Sequence, residues 1–352
     1  MKNKRVVVTG GAGFIGGALV RKLIEQNFTV LNIDSLTYAS NLQSLVNVST
    51  NENYSFKKLD ICDENSLWKL ILDFCPDTIM HLAAESHVDR SIDDPSTFLK
   101  TNILGTANLL NLARKLSNEN KEFLFHHIST DEVYGDLSEL DPAFTEKNNY
   151  DPSSPYSASK ASSDHLVRSW SRTYGLKYVI TNCSNNYGPF HFPEKFIPNI
   201  IIRGLLNKKI NIYGDGSQIR DWLYVDDHAD ALIKINCSGF KNTTFNIGGN
   251  NELRNIDVAK NVCSLLDKLV PLEDKSKNYS DLITFVRDRP GHDLRYAIDN
   301  SKLKKHLNWE PAETFESGLE KTVKWYISNK DWWKEMVRKN NLLNRLGSKE
   351  NE

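Results

Sequence analysis

Threonine, aspartate and glutamate follow one another at Thr130-Asp131-Glu132, just after the apolar run Phe123 to Ile128. Downstream stand Tyr156 and Lys160, and near the chain start runs Gly10-Gly11-Ala12-Gly13-Phe14-Ile15-Gly16. On a helix, residues four apart share a face, so the Lys160 ammonium would lie beside the Tyr156 phenol. A cation there favours phenolate and draws the tyrosine toward working pH. Such a tyrosine takes the proton of a substrate hydroxyl as hydride leaves. Two adjacent carboxylates offer an acid and a base if their surroundings drive their proton affinities apart. Together these residues describe an enzyme that oxidises a substrate and then works on it with an acid and a base.

Position in the chain gives the Tyr–Lys pair its weight, because Tyr-x-x-x-Lys occurs three times: Tyr54/Lys58, Tyr156/Lys160 and Tyr326/Lys330. Tyr54 and Lys58 belong to an expected strand, where a four-residue gap does not stack side chains. Tyr326 and Lys330 sit beside Trp325 and Trp332 and read as a packing surface. Tyr156/Lys160 alone opens a helix soon after the strand that carries the acidic pair.

The glycine-rich stretch satisfies both G-x-G-x-x-G (11, 13, 16) and G-x-x-G-x-x-G (10, 13, 16). Either spacing supplies a tight turn, close backbone approach to a pyrophosphate and a helix N-terminus with free N–H groups. Gly10, Gly13, Phe14, Ile15 and Gly16 are therefore expected at a dinucleotide. Strand two ends at Asp34, where an acid binds the adenosine ribose and repels a 2′-phosphate, which favours NAD over NADP. A turn-capping aspartate is the plainer reading of the same residue. Asp60 and Ile61, after strand three, are placed where they approach the adenine.

These residues need a scaffold, and the first half alternates apolar runs with helical patterns as a parallel α/β sheet does. Strands are expected at Arg5–Thr9, Thr29–Ile33, Tyr54–Leu59, Thr78–Leu82, Phe123–Ile128 and Lys177–Thr181. Helices are expected at Phe14–Gln26, Thr97–Leu116 and Tyr156–Tyr174, after Pro152 and Pro155 break the chain. Past Asn185, glycines and prolines punctuate shorter elements. The expected fold is a Rossmann-type doubly wound parallel sheet with a smaller mixed α/β C-terminal substrate lobe. Residues 1–184 are mainly the dinucleotide-binding part and 185–336 mainly the smaller lobe, with returns to the main sheet. Residues 337–352 are polar and read as a fraying tail.

Composition narrows the partners. The chain has 352 residues and a formal charge of −1, so no global field recruits nucleic acid or a membrane surface. Any anionic ligand must be held by locally placed cations. The five cysteines show no zinc spacing, no metal site is expected, and they suit a reducing compartment. Without a leader or a long apolar run, a soluble cytoplasmic protein is the plain reading.

The fingerprint together with Tyr156-x-x-x-Lys160 resembles the extended short-chain dehydrogenase/reductase superfamily. Further segments resemble its nucleotide-sugar 4,6-dehydratases, most closely those acting on dTDP-glucose. These are Asp34–Ala39, Leu82–Ser91, Ser129–Gly135, Asn182–Pro189, Gln218–Val225 and Arg287–Asp293. The resemblance spans about residues 4 to 330. Gly17 departs from it, standing where a serine is common, and the C-terminal tail has no counterpart.

The resemblance implies a redox-neutral lyase, a hydro-lyase, with NAD tightly held and recycled, and Ala83 at the cofactor. Tyr156 removes the C4 hydroxyl proton while hydride passes to NAD, Lys160 tunes the phenol, and Thr130 hydrogen-bonds the same hydroxyl. Glu132 then takes the C5 proton and Asp131 protonates the departing C6 hydroxyl, before hydride returns to C6. An acidic Asp131 requires burial or a neighbouring carboxylate to raise its proton affinity, and Glu132 is such a neighbour. Arg220 and Arg289 suit a diphosphate, by resemblance Asn185, Lys195, Asn255 and His292 join the substrate neighbourhood, and Ser86 follows strand four at the carboxyl edge of the sheet, where ligands bind in such folds. Arg220 in a surface ion pair is the bland alternative. His126, His127, Trp332 and Trp333 read as structural.

A UDP-sugar dehydratase, a 4-epimerase or a decarboxylase on the same scaffold is the competing enzyme reading. An epimerase has no use for the Asp131/Glu132 pair. A non-catalytic dinucleotide sensor is a third reading, in which the five candidate catalytic residues would have no purpose. The family also implies a homodimer through a four-helix bundle built from the helices near Thr101–Leu116 and Ser157–Tyr174.

Overall fold

The computed structural model describes residues 4–340. Its first half lays down β1 (Arg5–Thr9), α1 (Phe14–Glu25), β2 (Thr29–Asp34), β3 (Tyr54–Lys58), α2 (Glu64–Phe74) and β4 (Thr78–His81). There follow α3 (Val88–Asp93), α4 (Pro95–Phe98), a π-helical segment Leu99–Gly105, α5 (Thr106–Glu119), β5 (Leu124–Thr130), α6 (Pro155–Tyr174) and β6 (Tyr178–Cys183). The second half holds β7 (Asn185–Tyr187), α7 (Phe196–Leu205), β8 (Ile210–Tyr213), β9 (Ile219–Tyr224), α8 (Val225–Cys237) and β10 (Thr243–Ile247). It ends with β11 (Glu252–Arg254), α9 (Asn255–Leu269), β12 (Ile283–Val286), β13 (Arg295–Tyr296), α10 (Ser301–Leu307), α11 (Phe315–Ser328) and α12 (Lys330–Asn340).

Among the described residues seven strands form the main sheet in the order β10-β6-β5-β4-β1-β2-β3, all paired in parallel. This is the expected Rossmann-type sheet. Apart from the partly exposed edge strand β3, its strands are buried on both faces, and Val6-Val7-Val8 accordingly reads as a continuous apolar run with no exposure. One core, with Leu19, Leu23 and Phe245, packs one face; another, with Leu109, Leu112 and Ile180, packs the other. The strand order reverses between β1 and β4, and ligands bind such sheets in the crevice beyond the carboxyl ends at that point.

β10 comes from the second half of the chain yet pairs with β6. Around β9 a smaller mixed sheet gathers β11 antiparallel and β7 and β13 parallel, with its own core that includes Trp222, Phe315 and Trp333.

Two expectations need correction. The helix read as continuous over Thr97–Leu116 contains the π segment Leu99–Gly105. There the Asn102 side chain leaves the helix to bond both main-chain groups of Glu85, at 2.9 and 3.0 Å, and Ser159 Oγ at 2.8 Å. A residue inserted into the i→i−4 ladder is a common local cost at functional sites. The tail does not begin at Val337: α12 continues to Asn340, and Val337 packs on the core of the smaller lobe. Residues 341–352 of that expected tail lie outside the described residues.

Candidate active site

β5 delivers the acidic pair. The strand ends at Thr130, whose hydroxyl accepts from the Glu132 backbone N–H at 3.3 Å and so caps a 3-10 turn, Asp131–Val133. Ser154 opens α6 with a capping box and Pro155 occupies its first turn. That start fixes Tyr156 and Lys160 on the face turned to β5. Lys160 Nζ donates to the Ile128 carbonyl at 2.8 Å, and the nearby Thr130 hydroxyl is a group that favours ionisation of Tyr156.

All of these groups line one cleft of about 710 Å³. The expected cofactor residues Gly10, Gly13, Phe14, Ile15, Gly16, Asp34, Asp60, Ile61 and Ala83 form one end of its wall. The expected substrate residues Ser86, Asn185, Lys195, Arg220, Asn255, Arg289 and His292 also line it, together with Thr130, Asp131, Glu132, Tyr156 and Lys160. Sequence positions up to 282 apart, from Gly10 to His292, therefore meet in one cavity.

At the glycine end, Gly10 has φ +75° and a Cβ there would lie 2.6 Å from the Ala83 backbone nitrogen. At Gly16 a Cβ would lie 2.2 Å from the Gly10 carbonyl oxygen, so helix and strand touch without side chains between them. Asp34 accepts from the Ala12 and Leu36 backbone N–H groups at 3.0 and 2.8 Å and from Ser40 Oγ at 2.8 Å. It thus caps its own turn while its carboxylate lines the cleft.

Electrostatics separate the two acids. Burial raises the Asp131 carboxyl well above its ordinary range, with Glu132 and then Asp221 adding repulsion. Asp131 is 2% exposed and its Oδ2 has no hydrogen-bond partner. Burial raises Glu132 as well, but Arg289, Arg220 and Lys195 oppose it. One expectation fails here. Burial, then Glu132, push the Tyr156 phenol well above its ordinary value, and the Lys160 ammonium is engaged by the Ile128 carbonyl. The expected lowering by lysine alone does not overcome the desolvation of a phenol in a closed site.

At the other end Arg220 is buried rather than in a surface ion pair. Its guanidinium donates to the Ile219, Asp293 and Leu294 carbonyls at 2.7, 2.9 and 3.3 Å and lies 4.3 Å from the Tyr296 ring centre. Arg289 is anchored by Asp89 at 2.7 Å, and Lys195 by the Ser86 carbonyl at 3.0 Å. His292 Nδ1 lies 2.6 Å from Asp288, and burial brings its imidazole down to about 4. Asn185 Oδ1 is buried without a partner.

Sequence reasoning missed several lining residues, among them Phe192, Arg203, Tyr213 and Tyr296. Arg203 and Tyr213 carry no motif. Tyr296 stands three residues after Asp293, to which its hydroxyl donates, and an aromatic so near a cation-rich segment was an available signal.

The model of the GDP-mannose 4,6 dehydratase family matches residues 7–322. The chain belongs to that family. Within it, the chain is 55% identical over 352 residues to dTDP-glucose 4,6-dehydratase of Neisseria meningitidis, covering 98% of this chain and 99% of that protein. The relative of the same name from Escherichia coli is 55% identical over 97% of this chain and 99% of its own length. Among solved structures, dTDP-glucose 4,6-dehydratase of Streptomyces venezuelae with NAD and TYD bound superposes with a TM-score of 0.87. It is 39% identical and covers 94% of this chain and 99% of its own. UDP-glucose 4-epimerase of Thermotoga maritima with UDP-glucose gives a TM-score of 0.82 at 30% identity, over 93% of this chain and 99% of its own. Family members of different activity thus share the scaffold, and the site must separate them.

Proposed function

We propose that this chain is a hydro-lyase that converts dTDP-glucose to dTDP-4-keto-6-deoxyglucose with NAD as a recycled cofactor. The observation that carries this reading is the convergence of Asp131 and Glu132, in unlike electrostatic surroundings, with Tyr156 and Lys160 in one cleft. An epimerase sharing the scaffold needs the tyrosine and lysine but not that pair.

The residues fit NAD. The Gly10–Gly16 turn leaves the backbone bare where a pyrophosphate approaches, α1 points its N-terminus there, and Asp34 presents a carboxylate that suits a ribose diol and repels a phosphate. When bound, NAD supplies reversible hydride acceptance, and the positive charge of its oxidised ring favours the ionised Tyr156. Tyr156 accepts the C4 hydroxyl proton, while the Thr130 hydroxyl holds that oxygen and Lys160 keeps a positive charge behind the phenol. The resulting 4-ketone acidifies C5–H. Glu132, whose rise on burial is opposed by Arg289, Arg220 and Lys195, takes that proton. Asp131, kept protonated by burial, gives its proton to the C6 hydroxyl, which leaves as water. Hydride added at C6 and a proton at C5 complete a sequence with no net oxidation.

The cations at the far end of the cleft are assigned to the nucleotide diphosphate, with Arg220 and Arg289 as its main partners and Lys195, Asn185, Asn255, Ser86 and His292 around the sugar and phosphates. Residues 1–184 are assigned to cofactor binding and 185–336 to the nucleotide sugar. A homodimer through α5, α6 and the π segment fits the exposure of Leu99 (48%) and Leu104 (64%) on that face, and light scattering tests it. A cytoplasmic setting fits five unpaired cysteines. Among the described residues no helix is long and apolar enough to cross a membrane.

The test of the reaction is incubation of the purified protein with dTDP-glucose in D₂O without added NAD, followed by NMR and mass of the product. A 4-keto-6-deoxy sugar with one solvent deuterium at C5 is expected. An epimer formed without loss of water would overturn the roles of Asp131 and Glu132, and the same product from UDP-glucose alone would move the substrate.

A further inference from the structure

Lys160 is 4% exposed, and its ammonium meets a neutral carbonyl, that of Ile128, at 2.8 Å. A buried ammonium served only by a carbonyl is unstable as a charge and tends to lose its proton. Four residues further along α6, on the same helical face, stands Asp164, with no exposure at all. Its Oδ2 accepts from the Tyr150 hydroxyl at 2.8 Å and from Asn182 Nδ2 at 3.3 Å, and its Oδ1 lies 3.2 Å from His127 Nε2. Arg168 donates to the Tyr150 hydroxyl at 2.7 Å and closes this shell.

We infer that Asp164 is a positioning residue for the reaction: a buried carboxylate, held by Tyr150 and Asn182, whose charge acts on Lys160 from beyond direct ion-pair contact and keeps it an ammonium behind Tyr156. This rests on the proposed use of Tyr156 and Lys160. Tyr156, Lys160 and Asp164 then form one charge line along α6, at successive four-residue steps.

The groups around the line support this assignment. Burial lowers Lys160, while Asp164 and Cys183 of β6 raise it. Burial raises Asp164, but His127, Lys160 and Arg168 outweigh it and hold the carboxyl below its ordinary value. His127 and His81 also face Lys160, and burial drives both imidazoles down, His127 to about 4, so they are neutral at working pH. Tyr134 and Tyr150 face Asp164, and burial pushes both phenols upward. Lys160 and Arg168 are thus the cations set against this carboxylate, and the Arg168 guanidinium is directed to Tyr150.

Asp164→Asn keeps the side-chain shape and removes the charge. Lys160 then loses its proton at lower pH, so the alkaline limb of the kcat/KM profile on dTDP-glucose moves down. Activity at the alkaline end falls about tenfold against the native chain, and Asp164→Glu recovers part of it. A uniform loss at every pH, with both limbs in place, overturns the assignment.

A second measurement does not depend on turnover. Urea midpoints of the native chain, Asp164→Asn, Lys160→Met and the pair form a cycle. The loss from Asp164→Asn is expected to shrink once Lys160 is uncharged, and additive losses overturn the assignment. If Asp164→Asn alone does not fold, recovery of folding in the pair supports the assignment and failure of the pair overturns it. Absence of turnover by the native chain would instead strike the proposed function and leave the cycle readable.

Discussion

Asp131 and Glu132 are covalent neighbours with opposite surroundings. Asp131 points into a buried space where one carboxylate oxygen has no partner, while Glu132 is partly exposed and faces Arg289, Arg220 and Lys195. The cause is the 3-10 turn Asp131–Val133. At three residues per turn, successive side chains diverge by about a third of a turn. Thr130 caps that turn through the Glu132 N–H, so the residue that holds the pair open also favours the ionised form of Tyr156.

Removing either acid should stop the reaction at a different stage. Asp131→Asn and Glu132→Gln should each lower kcat by about 10²–10⁴-fold, the usual worth of a positioned acid or base. In D₂O, Asp131→Asn should still exchange C5–H, because Glu132 remains, but lose water slowly. Glu132→Gln should show neither exchange nor product. NMR of the recovered sugar distinguishes them, and equal C5 exchange in both variants would reverse or abolish the assignment.

Stability should move the other way. The Asp131 carboxyl is raised in the folded protein, so the unfolded chain releases that proton first as pH rises. Asp131 therefore costs stability above the ordinary aspartate range, and that cost disappears in acid. Asp131→Asn should raise the melting temperature at pH 7 to 8, by a gain of order 1 kcal/mol per unit of relieved shift. The gain should vanish as pH falls toward the unperturbed carboxylate value. A variant less stable than the native chain at pH 8 would contradict the unpartnered burial of this group.

Much of this was legible in the sequence where local chemistry and position agree. The glycine turn, the acidic triplet and the Tyr–Lys helix each carry their spacing within a few residues, and all were placed on the elements expected. Helix α2 was not read, although Asp63 caps it through the Ser66 N–H and Leu67 and Ile71 lie one turn apart in the core. Its pattern is short and flanked by turn residues. The π segment was illegible because its cause, the grip of Asn102 on Glu85, is tertiary. The direction of the Tyr156 shift was misread for a related reason: a Tyr–Lys spacing reports the neighbour but not the desolvation. Tyr213 escaped because it reaches the cleft through a strand that carries no motif.

Gly10→Ala tests the cofactor cradle. The backbone at Gly10 is left-handed, and the added methyl would sit 2.6 Å from the Ala83 nitrogen. Strain of about 1–3 kcal/mol in the turn that receives the pyrophosphate should leave a folded protein with little NAD. Absorbance of cofactor released by denaturation measures this, against circular dichroism for the fold. Native occupancy in the variant would show that the turn adapts, and that the tight approach of the turn after β1 to the segment after β4 is not needed for binding.

Arg289 should do two jobs that can be separated. Its guanidinium is held by Asp89 at 2.7 Å, beside the cleft where the diphosphate is assigned. It is also the first of the cations that oppose the rise of Glu132. Arg289→Lys keeps the charge but loses the fork, so KM should rise about tenfold or more, one lost charged hydrogen bond being worth about 1.5–3 kcal/mol. The acid limb of kcat/KM should stay in place. Arg289→Met removes the charge as well. The Glu132 carboxyl then rises further, and because the base must be ionised, the acid limb should move to higher pH. Profiles of both variants on dTDP-glucose check the two effects. If Arg289→Met raises KM while the limb does not move, then Arg220 and Lys195 alone hold Glu132 in its working form, and Arg289 serves only the substrate.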